Sequence, residues 1–216
     1  RVQYPPRRLV LLRQGRRGRS HPQRDKRKHP RRRVHRRLRK RGFGEVDPFE
    51  PSGGTGAARE GPPPPRLRTA FQESEPALFS GTIRENILFG KEMREELYRK
   101  AVECACLESD LRTMPLGDAT AVEEGAVNLS GGQRTRVCLA RVIYADRPVL
   151  LLDDPLSSLD LRVTDSIMDR LLRLNREEGK TIVLVSHQIH CLVKLGKCIE
   201  VKDRTLRLLT HEQFLE

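Results

Sequence analysis

Apolar residues recur with the period of a helix in two segments of the chain. The first predicted helix is Arg94–Leu107, and the second is Leu161–Glu178, which Gly179 closes. The apolar positions are Leu97, Ala101 and Ala105 in the first helix, and Val163, Ile167, Leu171 and Leu174 in the second. Each helix therefore has one face suited to packing against a core and an opposite face suited to water.

One short apolar run predicts a buried strand. Pro148–Asp154 lacks the alternation of a strand with one wet face, so it is typical of a parallel sheet covered on both sides. Elements expected further along are a short helix at Gln188–Leu195, a hairpin of Cys198–Val201 and Thr205–Leu209, and a helix from His211 onward. Together these patterns predict an α/β fold with a parallel core sheet and a helical insert.

Charge divides the chain into two parts. Residues 1–42 hold 19 basic residues, 16 of them Arg, and one acidic residue, whereas residues 43–216 hold 23 basic and 28 acidic residues. Residues 1–70 contain too little apolar material to bury a core, so we expect disorder there. Such an arm could bind nucleic acid or an anionic surface through residues 1–42. A mis-joined exon or a shifted reading frame would give the same composition.

Two broad classes of protein are excluded by composition. No apolar run approaches the about 18–20 residues of a membrane-spanning helix. The five cysteines include no C-x-x-C pair and are odd in number, which favours buried thiols in a reducing compartment over a disulfide framework.

The segment Asn128–Asp160 carries the candidate chemistry. Ser130 is suited to cap a helix over Gln133–Tyr144, and the two glycines after it permit close backbone approach. Such a helix start attracts phosphate, because its free amides and positive dipole end point outward. Asp153 and Asp154 follow the predicted strand, where ligands of open α/β sheets gather. A nucleotide with Mg²⁺ is expected there.

These residues resemble the ATP-binding cassette (ABC) family. Leu129–Gln133, LSGGQ, matches the family's signature, and Leu150–Asp160 resembles its Walker B segment and D-loop. The sequence DDPLSSLD is similar to the corresponding segment in the first nucleotide-binding domain of the C subfamily, the multidrug-resistance-associated exporters. The resemblance implies a P-loop NTPase-like cassette in residues 71–216, with a helical subdomain over residues 91–128 and an N-terminal part that is missing or disordered.

The resemblance also implies roles for individual residues. Asp153 would hold Mg²⁺, and Asp154 stands where most cassettes carry the glutamate that orients the attacking water. Thr181–His187 looks like the last core strand with its switch histidine, His187, which would contact the γ-phosphate. The residues expected to bind ATP are Ser130, Gly131, Gly132, Gln133 and Asp160. Because Asp is one methylene shorter than Glu, we expect hydrolysis to be slow or absent at this site.

Two family features are absent or altered in the sequence. No G-x-x-x-x-G-K-[ST] loop is present, since Gly53–Glu60 has Arg59 and Glu60 where Lys and Ser or Thr belong. Ser74 stands where the family's Q-loop glutamine precedes Glu75, so Gln72 is carried as the candidate Mg²⁺ and water ligand. We therefore expect an incomplete cassette, whose sheet lacks the strands that normally flank Pro148–Asp154.

The expected function is that of an ABC-type ATPase domain of a C-subfamily transporter. It would couple ATP binding and hydrolysis to transmembrane export through a head-to-tail dimer with a second nucleotide-binding domain. Membrane attachment at the cytoplasmic face would come from transmembrane domains absent from this chain. The alternatives are a soluble cassette-like fragment with an RNA-binding arm at residues 1–42, or a non-functional truncated product.

Overall fold

The computed structural model describes residues 7–12, 68–188, 198–202 and 205–209. The strands in these ranges are β1 Arg7–Leu12, β2 Thr69–Gln72, β3 Gly81–Thr82, β4 Ala121–Val122, β5 Val149–Asp153, β6 Thr181–Ser186, β7 Cys198–Lys202 and β8 Thr205–Leu209. The helices are α1 Ile83–Leu88, α2 Glu95–Cys104, α3 Glu108–Thr113, α4 Gly131–Tyr144 and α5 Leu161–Glu178. Strands alternate with α-helices from β4 to β6, and the mixture of strands and helices agrees with the α/β prediction.

Six strands form one mixed sheet in the order β2-β5-β6-β1-β7-β8. β2, β5 and β6 run parallel to one another, whereas β1 is antiparallel to both of its neighbours and β7 is antiparallel to β8. The prediction that Pro148–Asp154 would lack flanking strands was wrong, because β5 lies between β2 and β6. β2 gave little pattern in the sequence, since it is four residues long and Phe71 in its middle faces outward.

β1 comes from the arginine-rich part of the chain. Leu9 is opposite Val185 of β6 and Ile199 of β7, so the strand lies between them. Its last four residues, Leu9–Leu12, are apolar and suit the interior of a sheet, although the composition of residues 1–70 predicted disorder. Most of residues 1–70, and the helices predicted at Gln188–Leu195 and from His211, lie outside the described residues.

The helical part of the domain is built around α4, which packs against α1 and α2. The predicted helix Arg94–Leu107 is shorter in the structure, because α2 ends at Cys104 and Cys106 takes a left-handed conformation with φ of 54°. α1 is fixed at its start by a capping box, in which the Thr82 hydroxyl accepts from the Glu85 amide and the Glu85 carboxylate accepts from the Thr82 amide.

One cation is buried where α4 meets residues 77–89. Arg141 is 7% exposed, and its guanidinium donates to the Asn86 carbonyl oxygen at 2.8 Å, to Asn86 Oδ1 at 2.9 Å and to the Ala77 carbonyl oxygen at 2.9 Å. The guanidinium carbon lies 4.8 Å from the ring centre of Phe89 and 5.9 Å from that of Phe79. The last turn of α4 is therefore bonded to residues 77–89 by one side chain.

An acidic residue joins α1, α2 and the turn Gly117–Ala119. Asp118 accepts two hydrogen bonds from Arg84, at 2.7 and 2.8 Å, and one from the Tyr98 hydroxyl at 2.8 Å. Burial alone would raise the pKa of the Asp118 carboxyl, but the hydrogen bonds from Arg84 and Tyr98 outweigh burial and hold the pKa below its ordinary value of 3.8.

This lowered pKa predicts a share of the acid sensitivity of the fold. A carboxyl with a lowered folded pKa contributes stability that is present above its unfolded pKa and is lost as the pH falls through the folded pKa. We therefore expect Asp118→Asn to flatten the dependence of unfolding free energy on pH between about pH 5 and pH 2. Urea unfolding at stepped pH values measures this dependence. Equal slopes for the wild type and the variant would contradict the assignment.

The long helix α5 behaves as the sequence predicted. Asp160 caps its start by accepting a hydrogen bond from the Val163 amide at 2.9 Å, and Gly179 ends it with φ of 68°. Its inner face joins the core through buried residues, namely Ile167, Met168, Leu171 and Leu174. Among the helices in the described ranges, none has the length and apolar character needed to cross a membrane.

Candidate functional site

Four of the predicted site residues lie at one edge of the sheet. β2 ends at Gln72 and β5 ends at Asp153, while Asp154 and His187 directly follow β5 and β6. Gln72 is opposite Leu152, and Asp153 is opposite Val185, so the three parallel strands end in register. Because these are the carboxyl ends of neighbouring parallel strands, this edge is where a ligand of an α/β sheet is expected.

Asp154 is held in an uncommon conformation. Its backbone has φ of 48°, and its amide donates to the Val185 carbonyl oxygen at 2.9 Å, which ties it to β6. The Ser157 hydroxyl donates to its carbonyl oxygen at 3.1 Å. The side-chain atom Oδ1 is buried and has no hydrogen-bond partner among the described residues. A left-handed non-glycine residue with an unsatisfied carboxylate oxygen is costly for a fold and is typical of functional sites.

Gln72 shows the same kind of unsatisfied atom. The side chain is 2% exposed, and its Nε2 donates to the Thr135 carbonyl oxygen at 3.3 Å. Within the described part of the chain, its Oε1 is buried without a partner. Carboxylate and amide oxygens are donors that Mg²⁺ prefers, and Mg²⁺ is usually bound by one or two carboxylates together with phosphates. The orphaned oxygens of Gln72 and Asp154 therefore fit a magnesium-bound nucleotide.

His187 is exposed at the end of β6, next to a residue that fixes the following turn. The Gln188 amide donates to Ser186 Oγ at 3.1 Å, and Gln188 Nε2 donates to the Leu156 carbonyl oxygen at 3.2 Å. The loop after β5 is therefore bonded to the loop after β6. His187 lies between Ser186 and Gln188 in this connection and is exposed.

Four other predicted residues lie at the start of α4, which begins two residues earlier than predicted, whereas Asp160 caps α5. The Ser130 hydroxyl accepts from the Gln133 amide at 3.1 Å, and Gln133 Oε1 accepts from the Ser130 amide at 3.0 Å. This capping box uses the amides of Ser130 and Gln133. Gly131 and Gly132 supply the remaining amides of the first turn, which have no partner inside a helix. The arrangement suits an anion at the helix start.

The start of α4 packs against the loop that follows β5. Thr135 Oγ1 and Ser158 Oγ lie 2.9 Å apart, and Thr135 is also the residue whose carbonyl oxygen Gln72 contacts. A Cβ atom built on Gly132 would lie 3.3 Å from both the Ser158 carbonyl oxygen and Leu159 Cδ2. The two groups of predicted residues are therefore linked inside one chain, from the sheet edge through Thr135 to the loop that ends at Asp160.

Much of the described chain is similar to a known family of domains. A model of a family described as "ABC transporter" matches residues 54–157. The chain contains a domain of the ABC transporter family. ABC domains bind ATP, typically with Mg²⁺, and the family consists of transport ATPases.

Known relatives assign this ABC domain to the C subfamily. The "ABC-type transporter" of Zymoseptoria tritici is 45% identical over 125 residues, 58% of this chain and 9% of the relative. The human "ATP-binding cassette sub-family C member 4" is 37% identical over 150 residues, 69% of this chain and 11% of the relative. The human "sub-family C member 8" is 37% identical over 139 residues, 64% of this chain. The chain thus spans about a tenth of these curated relatives.

A solved structure supports the ABC fold. A bacterial Atm1-family ABC exporter with ATP bound superposes with a TM-score of 0.62 and 24% identity, over 68% of this chain and 26% of the exporter chain. At this identity the similarity shows the fold alone. The parallel strands and the helical part of the ABC domain are therefore confirmed, while the roles of its site residues remain predictions.

The two glycines of the ABC signature differ in the space around them. Because Gly132 faces backbone and Leu159 at 3.3 Å, Gly132→Ala should push the start of α4 away from the Ser158 loop. Gly131 has only Ser158 Cβ at 3.9 Å and Arg134 Nη2 at 4.0 Å near its built Cβ, so Gly131→Ala should fit. We expect the Gly132 variant to be less stable than the Gly131 variant by about 1 kcal/mol. Thermal unfolding of both variants measures the difference, and equal midpoints would contradict the close approach.

Some residues that shape this ABC site had no signal in the sequence. Thr135 and Ser158 are ordinary polar residues, and Asp110 of α3 contacts Gln133 and Arg136 of α4 across more than 20 positions of the chain. Such contacts depend on how helices pack, which a helical period does not specify. Only the signature and the strand end could be found from motif spacing.

Proposed function

We propose that this chain supplies the signature half of a composite ATP site in a C-subfamily ABC exporter. Ser130, Gly131, Gly132 and Gln133 bind the γ-phosphate of ATP that is held by the P-loop of a second nucleotide-binding domain. The two domains associate head to tail, with ATP at the interface. Asp160 lies at the end of the loop bonded to α4 and connects the two sites.

The start of α4 is the observation that carries this proposal. Its capping box orders the first turn while Gly131 and Gly132 leave their amides for a ligand, and Ser130 is exposed. Helix amides and the helix dipole both favour negative charge at this position. None of the first-turn residues of α4 itself carries a carboxylate, so the helix adds no negative charge of its own at this end.

The residues at the sheet edge contact a second nucleotide, the one that faces this chain's own β5 and β6. Asp153 and Gln72 would hold Mg²⁺, which would neutralise phosphate charge there. Asp154 orients the water that attacks the γ-phosphate, and His187 contacts that phosphate from the exposed end of β6. The unsatisfied oxygens of Gln72 and Asp154 support these assignments, because both atoms would gain a partner when the nucleotide binds.

Hydrolysis on this side is slow in our proposal. Asp154 has a shorter side chain than the glutamate it replaces, and its backbone is tied to Val185. The carboxylate therefore cannot move outward to make up the missing methylene, and the positioning of a water is sensitive to errors of about 1 Å. The chain also has no P-loop lysine in its sequence. ATP bound across the interface then acts mainly by holding the two domains together.

Closure of the two domains drives export through transmembrane domains, which would hold the cassette at the cytoplasmic face of a membrane. The C-subfamily relatives support this setting, and the chain corresponds to about a tenth of their length. Transport is therefore a property of an assembly to which this domain contributes one half of an ATP site.

An association experiment tests the proposal. The chain, labelled with a fluorophore, is mixed with an intact C-subfamily nucleotide-binding domain, and binding is followed by fluorescence anisotropy with and without ATP. We expect association that requires ATP and that is lost when the P-loop lysine of the intact domain is replaced. Absence of association, or association that is equal without ATP, would overturn the proposal.

A further inference from the structure

Asp110 of α3 lies against the first turn of α4. Its Oδ1 accepts from Gln133 Nε2 at 3.0 Å and from Arg136 Nη2 at 3.1 Å, while its Oδ2 accepts from Arg136 Nη1 at 2.5 Å. The side chains of Asp110 and Arg136 are 13% and 11% exposed. This is a forked pair between planar groups, which fixes orientation as well as distance.

Asp110 contacts Gln133 in addition to its ion-pair partner Arg136. Gln133 Oε1 accepts from the Ser130 amide, so one side-chain amide is held at both ends, by Asp110 and by the backbone of the helix cap. An ordinary ion pair between two helices would engage Arg136 alone. Here the same carboxylate oxygen serves Arg136 and Gln133, and Gln133 in turn orients Ser130.

Arg136 is itself held in place by backbone groups. Its Nη1 donates to the Cys106 carbonyl oxygen at 2.7 Å, and its Nε donates to the Gly132 carbonyl oxygen at 3.2 Å. The carboxylate of Asp110 therefore meets a guanidinium that does not swing away. Because Arg136 is held in place, the Asp110 carboxylate is held in place too, and it fixes the orientation of the Gln133 side chain in the first turn of α4.

We propose that Asp110 is a positioning residue for the signature turn. By holding the Gln133 side chain, it keeps the capping box closed and aims the amides of Gly131 and Gly132 at the incoming phosphate. This role rests on the proposed function. Asp110 itself touches no nucleotide in this scheme and acts through Gln133.

Amide hydrogen exchange on the isolated chain tests the positioning step without ATP. In Asp110→Ala the Gln133 side chain loses its outer anchor, so the amides of Ser130 and Gln133 should exchange about fivefold faster, the effect of losing one hydrogen bond. Asp118→Ala is the matched control, because Asp118 also accepts three hydrogen bonds in the helical part but contacts neither residue. We expect it to leave both amides unchanged.

A conservative variant separates positioning from simple support of the fold. Asp110→Asn keeps an oxygen that can accept from Gln133 but loses the charge that pairs with Arg136. We expect lower overall stability in urea with slow exchange retained at Ser130 and Gln133. If Asp110→Ala leaves these amides as slow as in the wild type, or if Asp118→Ala accelerates them equally, the inference is overturned.

Association with an intact nucleotide-binding domain supplies the functional arm. ATP-dependent binding should weaken with Asp110→Ala, recover with Asp110→Asn and stay normal with Asp118→Ala. Normal binding by Asp110→Ala would overturn the inference even if its amides exchange faster. If the wild-type chain fails to bind while the exchange results hold, the proposed function fails and the alignment of the turn by Asp110 stands.

Discussion

Replacing Arg141 by methionine is expected to lower the free energy of unfolding by about 3 kcal/mol. The variant removes three hydrogen bonds from a charged donor. The carbonyl oxygens of Ala77 and Asn86 then remain buried against α4 without the donor that Arg141 supplied. It also removes the stacking on Phe79 and Phe89. Burial lowers the pKa of the Arg141 guanidinium, so the charge carries a desolvation cost that methionine avoids. The net loss is therefore smaller than the sum of the separate contacts.

Urea unfolding measures this effect, and two further variants define its origin. Arg141→Lys keeps the charge but has no fork, so it should fall between the wild type and Arg141→Met. Arg99→Ala removes an exposed arginine from α2 and should stay within about 0.5 kcal/mol of the wild type. An Arg141→Met protein as stable as the Arg99→Ala protein would show that the buried fork adds nothing to the fold.

Ser130→Arg should reduce ATP-dependent association with an intact nucleotide-binding domain by at least about a hundredfold, because a contact to bound phosphate is lost and its place is filled. Ser130 is exposed at the start of α4, so a long side chain there extends into the space that the phosphate needs. The hydroxyl that accepts from the Gln133 amide is lost as well. Loss of the cap alone costs about 1 kcal/mol of helix stability, which is too little to explain such a decrease.

Two variants separate these causes in the same anisotropy assay. Ser130→Ala removes the cap without adding bulk and should lose much less binding than Ser130→Arg. Ser166→Arg makes the same substitution at an exposed position of α5 and should bind like the wild type. Undiminished binding by Ser130→Arg would show that the signature turn does not face the partner's nucleotide.

The helices and strands that the sequence predicted well are those with a strong local signal. α5 has both of its predicted boundaries, and Gly179 ends it as expected, because a left-handed glycine acts within one turn of the helix; the capping carboxylate of Asp160 at its start was not predicted. β5 was predicted from its continuous apolar run, and β7 with β8 from the hairpin pattern. In each case, the residues that determine the element lie inside it or directly beside it.

The remaining features depend on packing between distant segments. β1 joins the sheet between β6 and β7 from a part of the chain whose low apolar content predicted disorder, and β2 is too short to show a period. At the site, motif spacing indicated Ser130 and Asp153 but not Asp110, whose contacts require α3 and α4 to be brought side by side. The orphaned oxygen of Gln72 is likewise a property of the packed interior.

α4 has a mechanical consequence, since it is anchored at both ends to different parts of the domain. Its first turn carries the signature, and its last turn is clamped through Arg141 to residues 77–89. A helix of 14 residues spans about 21 Å and is stiff along its axis. If a neighbouring domain tilts the N-terminal turn of α4, the C-terminal turn at Arg141 therefore moves with it as part of one rigid helix.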